Sequence, residues 1–557
     1  MTTAAPARST RRSPAAADLL AVALVAVVVA LPLRGLFRAP GPPMEEGFML
    51  VFPELVLGGK VPNRDFLHLY GPGSLWALAG TFRVFGTHLW TERAFGLAQQ
   101  LAIIGGIFAL ARPWGRTLAV GCAVTAAVVI MPFGLTALAW VGAVGLAVSG
   151  LAVAMRGRAT ATERQADRCA LLAGLLLGLA VLFRLDLVVA VGLAGVSLAW
   201  DLPPTRRRRL VGGFTLGVAP YAIHLLTAGI EPAVRGMVLE PVFRLRPGRS
   251  LPVPPSWSEL DGFLQRAGAL QQLDWPLPAP SDSQQLVLWF FGLLGLVGFL
   301  LATALVAVRA DRRGLRPRTL LAVALLSLGM LPQALQRVDS AHLAWVGCVP
   351  MAFLPIAIYE TVRRRSRPRA ARPVAIGAVL VTLALVIGIV PAYTVTRYAD
   401  YSVQTFGRHS SSFVIENAGR RFYYGKADRA QAAQMVIDAT MEIARPGQRL
   451  VVGPADLRRT PYSDAYLYHL LPSLEPGTRY IEMDPGVADR ADSGLDREIA
   501  AADLVILSSI WDDWSEPNAS VDRGSDRAAR VLDRDFCPVG SYLRLYALYR
   551  KCPVGTG

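Results

Sequence analysis

The residues best suited to chemistry are three carboxylates in one short polar segment near the N-terminus. Glu45 and Glu46 are adjacent, and Asp65 follows Arg64 in the same segment. Charges held beside a membrane are costly and usually functional. A carboxylate within reach of a hydroxyl group can remove its proton as a general base, so Glu45 or Glu46 is the first choice for this role and Asp65 the second. An ordinary solvated loop is the alternative interpretation.

Further polar side chains interrupt otherwise apolar sequence at four places. They are Arg64, His68 and Tyr70 in the first segment, the pair Arg184 and Asp186, the group Arg337, Asp339 and His342, and the arginines Arg244 and Arg246. Guanidinium groups bind phosphate through two parallel hydrogen bonds, so these arginines suggest an anionic partner. Structural salt bridges, packing histidines and contacts with lipid headgroups remain as alternatives.

The composition indicates a membrane protein. Of the 557 residues 53% are hydrophobic, and the mean hydropathy is +0.40. Apolar runs of about 15–23 residues recur between positions 19 and 395, and about 20 residues are needed to cross a bilayer. The net charge of +16 would suit nucleic acid, but most arginines lie in short segments between apolar runs, as the positive-inside rule describes. We therefore predict a polytopic α-helical protein of about 11 spans that contacts membrane lipids and no nucleic acid.

The charge pattern also predicts the topology. Basic segments at 156–168, 206–209, 309–318 and 363–372 are expected to face the cytoplasm. The multi-pass plasma-membrane protein is then divided into a disordered cytoplasmic tail (1–16), a transmembrane domain (17–395) with two outer loops (37–72 and 231–285), and an extracytoplasmic domain (396–557). Residues 73–155 contain four apolar runs where parity allows three crossings. The short run at 74–88 is therefore expected to lie in the interface or to enter only partway.

Two apolar runs, 169–183 and 187–200, are short. At 1.5 Å per residue each covers only about 20–22 Å of a hydrocarbon core of about 30 Å. We predict two short helices joined at Arg184-Leu185-Asp186 near the outer surface, where irregular backbone would line a cavity. All the candidate residues then lie on the outer side of the membrane.

The last part of the chain has a different pattern. Strands are predicted at 448–452, 503–508 and 542–549, with helices at 427–443 and 495–502, which indicates a small α/β domain. Cys537 and Cys552 flank the last strand and would pair in an oxidising compartment if the geometry allows. Trp511 and Trp514 could stack on sugar rings, although packing in the core is the favoured interpretation.

The first segment resembles the GT-C superfamily of polyprenyl-phosphate-sugar glycosyltransferases, which includes protein O-mannosyltransferases and the aminoarabinose transferases of lipid A. The resemblance rests on Glu45-Glu46-Gly47, on the Gly-x-x-Pro-x-x-Asp pattern from Gly59 to Asp65, and on the turn at Gly71-Pro72. A glycine-rich helix ending in Phe183-Arg184-Leu185-Asp186 is a second, weaker match. Glu45 replaces the aspartate that is usual at the first acidic position.

The resemblance implies an inverting transfer of a sugar from a polyprenyl phosphate to a cell-envelope glycan or glycolipid at the outer face. Arg184 and Arg337 would stabilise the phosphate leaving group, and Arg244 and Arg246 are the second candidates for this role. The residues expected to bind or orient the substrates are Arg64, His68, Tyr70, Asp186, Asp339 and His342. A divalent metal, Mg²⁺ or Mn²⁺, held by Glu46, Asp65 and His342 is left open. The rival functions are a ligase or polymerase of preassembled glycans and a lipid or polysaccharide transporter.

Overall fold

Ten helices in the described part of the chain are long and apolar enough to cross a membrane. The structure is a computed structural model that describes residues 14–258, 278, 280–364, 371–390, 392–407 and 410–553. The ten spans are Ala15–Leu36, Leu89–Trp114, Arg116–Phe133, Ala139–Ala159, Glu163–Phe183, Pro204–Ala228, Asp282–Ala310, Leu315–Gln336, Ser340–Arg363 and Ala371–Ile389. A shorter apolar helix, Leu185–Ala199, accompanies them. The prediction of an integral, multi-pass α-helical membrane protein is confirmed.

Several spans consist of two consecutive helices. These are Pro14–Ala30 with Leu33–Leu36, Leu89–Ala111 with the 3₁₀ turn Arg112–Trp114, Arg116–Ile130 with the 3₁₀ turn Met131–Phe133, and Pro204–Val218 with Pro220–Ala228. Prolines at the first turn of the second helix account for some of these joints, because proline lacks the N–H group that would continue the hydrogen-bonding pattern. The predicted disordered tail, 1–16, lies outside the described residues except for positions 14–16, which begin the first helix.

Three spans cross between residues 89 and 159, as parity required. The helix before them, Pro72–Phe85, has 14 residues. It is about 21 Å long and therefore too short to cross the hydrocarbon core. It packs against the helix Glu45–Leu57 and against the span Glu163–Phe183.

The chain breaks at Arg184, as predicted, but only one of the two flanking helices is short. Glu163–Phe183 has 21 residues, whereas the 3₁₀ turn Leu185–Leu187 and the helix Val188–Ala199 follow the break. The prediction of two short helices was wrong for the first one because polar residues extend that helix at its N-terminal end. Arg206 stabilises this end through contacts with Glu163 and Asp167.

The two predicted outer loops are largely helical. In the first, Glu45–Leu57 forms a helix with both glutamates in its first turn, where the helix dipole favours negative charge. In the second, Ile230–Val234, a π-helical stretch Arg235–Leu245 and Arg246–Arg249 follow one another. Tertiary packing stabilises these helices within the two segments between membrane spans. Residues 259–277 and 279 of the second loop lie outside the described residues.

The C-terminal domain follows a connecting helix, Ala392–Val403. Its strands are β1 (Phe413–Asn417), β2 (Arg420–Tyr424), β3 (Arg449–Pro454), β4 (Glu475–Pro476), β5 (Leu504–Ser508), β6 (Phe536–Tyr542) and β7 (Tyr546–Lys551). Five of them form a sheet with the order β4-β3-β5-β7-β6, and β1 and β2 form a separate hairpin. The helices are Ala427–Ile443, Tyr466–Leu470, Leu495–Ala500 and Arg527–Asp535, with 3₁₀ turns at Ser509–Trp511 and Ala519–Val521.

The sheet confirms the predicted α/β domain and adds to it the hairpin formed by β6 and β7. Strands β4, β3 and β5 are parallel, whereas β7 is antiparallel to β5 and to β6. The region predicted as one strand at 542–549 is the turn and second strand of that hairpin. Cys537 and Cys552 form a disulfide across it, with Cα atoms 5.2 Å apart.

One hydrophobic cluster joins the first outer segment to the C-terminal domain. It contains Phe48 and Phe52 from the helix Glu45–Leu57 together with Tyr466 and Trp511. A Cβ atom on Gly47 would lie 2.3 Å from the backbone nitrogen of Tyr466, so glycine is needed for this close approach. The helix that begins with the two glutamates is therefore held between the membrane helices and the C-terminal domain.

Candidate active site

Two cavities meet where the helix ends face the C-terminal domain. Their volumes are about 180 Å³ and about 250 Å³. We call the smaller one the aromatic cavity, since Trp345, Tyr401, Tyr462 and Trp514 line it, and the larger one the basic cavity, since Arg184 and Arg246 line it. Four side chains line both cavities and mark the junction between them: Glu45, Arg249, Arg337 and His342.

The lining residues come from alternate connections between consecutive spans. Residues 36–46 lie at the connection after the first span, and residues 132–138 lie at the connection after the third span. Residues 184–186 lie where the fifth span meets the short helix Leu185–Ala199. Residues 337–345 lie at the connection between the spans Leu315–Gln336 and Ser340–Arg363 and in the first turns of the latter. Alternate connections of an up-and-down bundle share one end. Counting the short helix as a crossing therefore brings the acidic pair and the Arg-x-Asp groups to the same side.

Glu45 occupies the junction of the two cavities. Its carboxylate accepts a hydrogen bond from the hydroxyl group of Tyr462, a residue of the C-terminal domain. Burial raises the pKa of Glu45, and this effect is opposed by the Tyr462 hydrogen bond and by the charge of Arg249. A carboxylate whose pKa is raised is a stronger base than an ordinary one, which suits proton removal from a hydroxyl group.

Glu46 has a different environment from its neighbour. Both of its carboxylate oxygens accept hydrogen bonds from Arg93, at 2.8 Å from Nε and 2.7 Å from Nη2. The two side chains are only 1% and 2% exposed. Arg93 also donates to the backbone oxygen of Leu36 at 3.2 Å. Since both oxygens are engaged in a buried ion pair, the geometry favours a structural role for Glu46 over the expected role of base.

Asp65 and Arg64 lie away from the cavities. Asp65 accepts hydrogen bonds from Arg64, at 2.9 Å and 3.1 Å, and from the backbone nitrogen of Val61 at 2.7 Å. Arg64 also donates to the backbone oxygen of Thr227 at 3.3 Å. Neither is among the described residues that line the two cavities. This position favours Glu45 over Asp65 as the proton acceptor.

His68 and Tyr70 contact each other edge to face, and Tyr70 lines the basic cavity. His68 is buried with its ring perpendicular to those of Phe52 and Tyr70, at centroid distances of 5.4 Å and 5.6 Å. Burial lowers the pKa of His68 to about 3, so the imidazole is neutral. Tyr70 lines the basic cavity, and its ring lies 4.3 Å from Cζ of Arg184. The structure thus assigns packing to His68 and the positioning of an arginine to Tyr70.

The arginines of the basic cavity differ in how they are paired. Arg184 contacts Asp186 at 2.9 Å, and Asp186 also lines the cavity. Arg244 pairs with Glu240 at 2.7 Å and is absent from the lining among the described residues. The guanidinium group of Arg246 lines the cavity and forms no hydrogen bond or ion pair with any described residue. Arg246 is therefore best placed to receive an external anion, followed by Arg184.

Arg337 is engaged by protein acceptors. It donates to Asp339 at 2.7 Å, to Glu516 at 2.5 Å and 3.0 Å, and to the backbone oxygen of Arg249 at 2.7 Å. Asp339 in turn accepts from the backbone nitrogen of His342 at 2.8 Å and caps the helix that follows. Although burial opposes it, His342 and Arg337 hold the pKa of Asp339 below its ordinary value. These contacts favour a role for Arg337 in docking the C-terminal domain over the expected role of phosphate ligand.

Part of the site comes from residues that the sequence did not reveal. From the C-terminal domain these are Tyr462, Glu482, Asp484 and Glu516. Arg249 lies in the same outer segment as Arg244 and Arg246, and it donates to Asp484 at 2.5 Å and 2.9 Å. No spacing signal links these positions, because docking of the domain brings them together. Trp511 packs in the core, whereas Trp514 also lines the aromatic cavity.

The metal site left open by the sequence is not assembled. In the residues that the structure describes, no group of three or more His, Cys, Asp or Glu side chains is placed to hold a metal ion. Glu46 contacts Arg93, Asp65 contacts Arg64, and His342 contacts Asp339. These residues do not fit Mg²⁺ or Mn²⁺, and no step through a metal is assigned to them.

The structure was compared with known proteins. No protein-family model and no curated protein matches the sequence. The crystal structure of ArnT from Cupriavidus metallidurans bound to undecaprenyl phosphate aligns with 98% of this chain and 100% of its own, with a TM-score of 0.51 and 15% identity. This chain has the GT-C fold. The fold expected from the first outer segment is thus confirmed.

Two further structures align less well. The apo state of the same ArnT covers 97% of this chain and 98% of its own at 15% identity, with a TM-score of 0.45. An oligosaccharyltransferase from Archaeoglobus fulgidus, in complex with Zn and sulfate, covers 94% of this chain and 71% of its own at 12% identity, with a TM-score of 0.41. These scores are too low to establish a shared fold by themselves. The roles of the residues therefore rest on the geometry of the cavities.

Proposed function

We propose that this protein is a membrane glycosyltransferase that moves a sugar from a polyprenyl-phosphate donor to a hydroxyl group of a cell-envelope glycan or glycolipid. The observation that carries the proposal is the position of Glu45, a carboxylate with a raised pKa at the junction of a basic and an aromatic cavity. The fold shared with an ArnT bound to undecaprenyl phosphate supports the choice of donor class.

The basic cavity binds the donor phosphate. When the sugar leaves, the phosphodiester becomes a phosphate monoester and gains negative charge, so cations aimed at it stabilise the transition state more than the ground state. Arg246 and Arg184 supply these cations. Val242, which lines the cavity, and Phe243, the next residue in the chain, are exposed apolar side chains along which the polyprenyl chain lies.

The aromatic cavity receives the acceptor. Trp345, Tyr401 and Trp514 present rings on which a sugar stacks. The acceptor hydroxyl approaches the anomeric carbon from the side opposite the phosphate, and Glu45 takes its proton as the new bond forms. Because the C–O bond to phosphate breaks in the same displacement, the anomeric configuration inverts. Tyr462 holds the carboxylate in place through its hydrogen bond.

We propose that the reaction takes place at the extracytoplasmic face. The disulfide between Cys537 and Cys552 supports an oxidising compartment for the C-terminal domain. The arginine-rich segments 156–168, 206–209 and 309–318 lie at the other set of alternate connections, and therefore at the opposite end of the bundle, in agreement with the positive-inside rule. A basic cavity of about 250 Å³ favours a small donor sugar over the preassembled glycan of a ligase or polymerase. The gathering of charged lining groups at one end of the bundle argues against a transport path through the membrane.

Purified protein assayed with radiolabelled polyprenyl-phosphate hexoses and pentoses, with native envelope extract as acceptor, tests the proposal. Glu45→Gln removes the base and is expected to lower kcat by about 10²–10⁴-fold. Glu231→Gln is the matched control, since this carboxylate is 78% exposed and pairs only with Arg235 in the described residues. Wild-type rates in Glu45→Gln, together with loss of transfer in Asp65→Asn, would assign the base to Asp65 instead.

A further inference from the structure

Two buried carboxylates of the C-terminal domain line the basic cavity on the side facing its arginines. Glu482 and Asp484 follow strand β4, and their exposed fractions are 5% and 1%. Oε2 of Glu482 and Oδ2 of Asp484 have no hydrogen-bond partner in the described part of the chain. Burying a carboxylate oxygen without a donor is costly. A ligand that supplies hydrogen-bond donors inside the cavity accounts for both.

The other oxygens of the two carboxylates have partners. Oδ1 of Asp484 accepts from Arg249 at 2.5 Å and 2.9 Å, and Oε1 of Glu482 lies 3.5 Å from the hydroxyl group of Tyr70. Burial, and then the charge of Asp484, raise the pKa of Glu482 well above its ordinary value. The raised pKa favours the protonated carboxyl group, which can both donate and accept a hydrogen bond, beside an acceptor that Arg249 holds in place.

We propose that Glu482 and Asp484 bind hydroxyl groups of the donor sugar and thereby select which sugar is transferred. This inference rests on the proposed function, which places the donor phosphate near Arg246 and Arg184 in the same cavity. A sugar attached to that phosphate extends through the same cavity, where Arg249 and Arg337 are already paired with protein carboxylates and Glu482 and Asp484 each keep an oxygen without a partner in the described residues. Phosphate oxygens mainly accept hydrogen bonds, whereas sugar hydroxyls supply the donors that these two oxygens lack.

The selectivity follows from the buried oxygens. A site built to hydrogen-bond a hydroxyl group rejects an analogue without that group, because its own polar atoms are then left unpaired. The C-terminal domain therefore contributes to donor choice and is more than a cover over the membrane helices.

The experiment measures binding to the purified full-length protein in detergent, with undecaprenyl phosphate alone and with its glucose-, mannose- and arabinose-linked forms. In the wild type, at least one sugar-linked lipid is expected to bind about tenfold more tightly than undecaprenyl phosphate. Glu482→Ala should remove this gain and leave the affinity for undecaprenyl phosphate within about twofold. Glu416→Ala, on the surface of the same domain and paired with Arg421, is the matched control.

Each outcome decides the inference. The inference is wrong if all sugar-linked lipids bind to the wild type with the affinity of undecaprenyl phosphate, or if Glu482→Ala still binds the sugar-linked lipid more tightly. In either case the sugar does not contact Glu482 and Asp484, while the proposed phosphate site is unaffected. If no polyprenyl phosphate binds at all, the proposed function falls and the inference falls with it. Should Glu482→Ala fold poorly, Glu482→Gln keeps the side-chain volume and is expected to change the order of preference among the three sugars.

Discussion

Replacing Glu46 by glutamine distinguishes a structural partner of Arg93 from a catalytic base. The two side chains are joined by hydrogen bonds of 2.8 Å and 2.7 Å and are almost completely buried. Removing one member of such a pair leaves a buried charge without compensation, which costs roughly 3–5 kcal/mol. That is a large share of the about 5–15 kcal/mol by which a typical protein is stable. Glu46→Gln is therefore expected to lower the unfolding midpoint and the yield of folded protein.

A double-variant cycle separates the pair from its surroundings. Arg93→Gln should destabilise the protein to a similar extent, whereas Glu46→Gln combined with Arg93→Gln leaves no uncompensated charge and should recover much of the loss. The midpoint of thermal unfolding in detergent is measured for all four forms, and transfer is normalised to folded protein. The reasoning is refuted if Glu46→Gln melts like the wild type and yet transfers no sugar, or if the double variant is no more stable than either single one.

Three further predictions concern Glu45, Arg246 and Gly47. Because a base must be deprotonated to act and burial raises the pKa of Glu45, kcat/KM should fall as the pH drops below this raised value, and Glu45→Gln should lack that limb of the profile. Arg246→Ala should weaken undecaprenyl phosphate binding by about tenfold or more without lowering the unfolding midpoint, because its guanidinium has no partner among the described residues, whereas Arg244→Ala should bind normally. Gly47→Ala should cost about 1–3 kcal/mol of stability, since its Cβ would meet the backbone of Tyr466.

Matched controls sharpen these tests. Gly80→Ala lies in a neighbouring helix where a Cβ meets nothing within 4 Å, so it should be neutral or slightly stabilising. If Gly47→Ala is equally harmless, the C-terminal domain is not packed as closely as described. If kcat/KM of the wild type does not depend on pH, Glu45 is not the base. If Arg246→Ala binds undecaprenyl phosphate normally, Arg246 is not a phosphate ligand.

The spans were predictable because hydropathy is a local property of the chain. Leu89–Trp114, Arg116–Phe133 and Ala139–Ala159 follow directly from apolar length and from the distribution of arginines. The helix Glu45–Leu57 was not predictable in the same way. It contains Pro53 and short apolar runs, and it is stabilised by contact with a domain that begins several hundred residues later in the chain.

The candidate site was predictable in its charged residues but not in their pairing. Residue type and position beside a membrane indicated Glu45, Arg184 and Arg246, which do line the cavities. Whether an arginine is free or engaged depends on its tertiary neighbours. Arg337 contacts Glu516, and no pattern in the sequence connects these two positions.

The segment Glu45-Glu46-Gly47 shows why the acidic pair could not be interpreted from residue type alone. Successive residues of a helix point about 100° apart, and the two adjacent glutamates have different partners although both line the aromatic cavity. Glu45 faces the cavities and Tyr462, Glu46 faces Arg93 on a membrane span, and the missing side chain of Gly47 admits the backbone of Tyr466. The proposed role of Glu45 depends on Glu46 and Gly47, because these two residues fix the helix between the membrane domain and the C-terminal domain. Substitution of Glu46 or Gly47 is therefore expected to lower the rate of transfer by displacing Glu45.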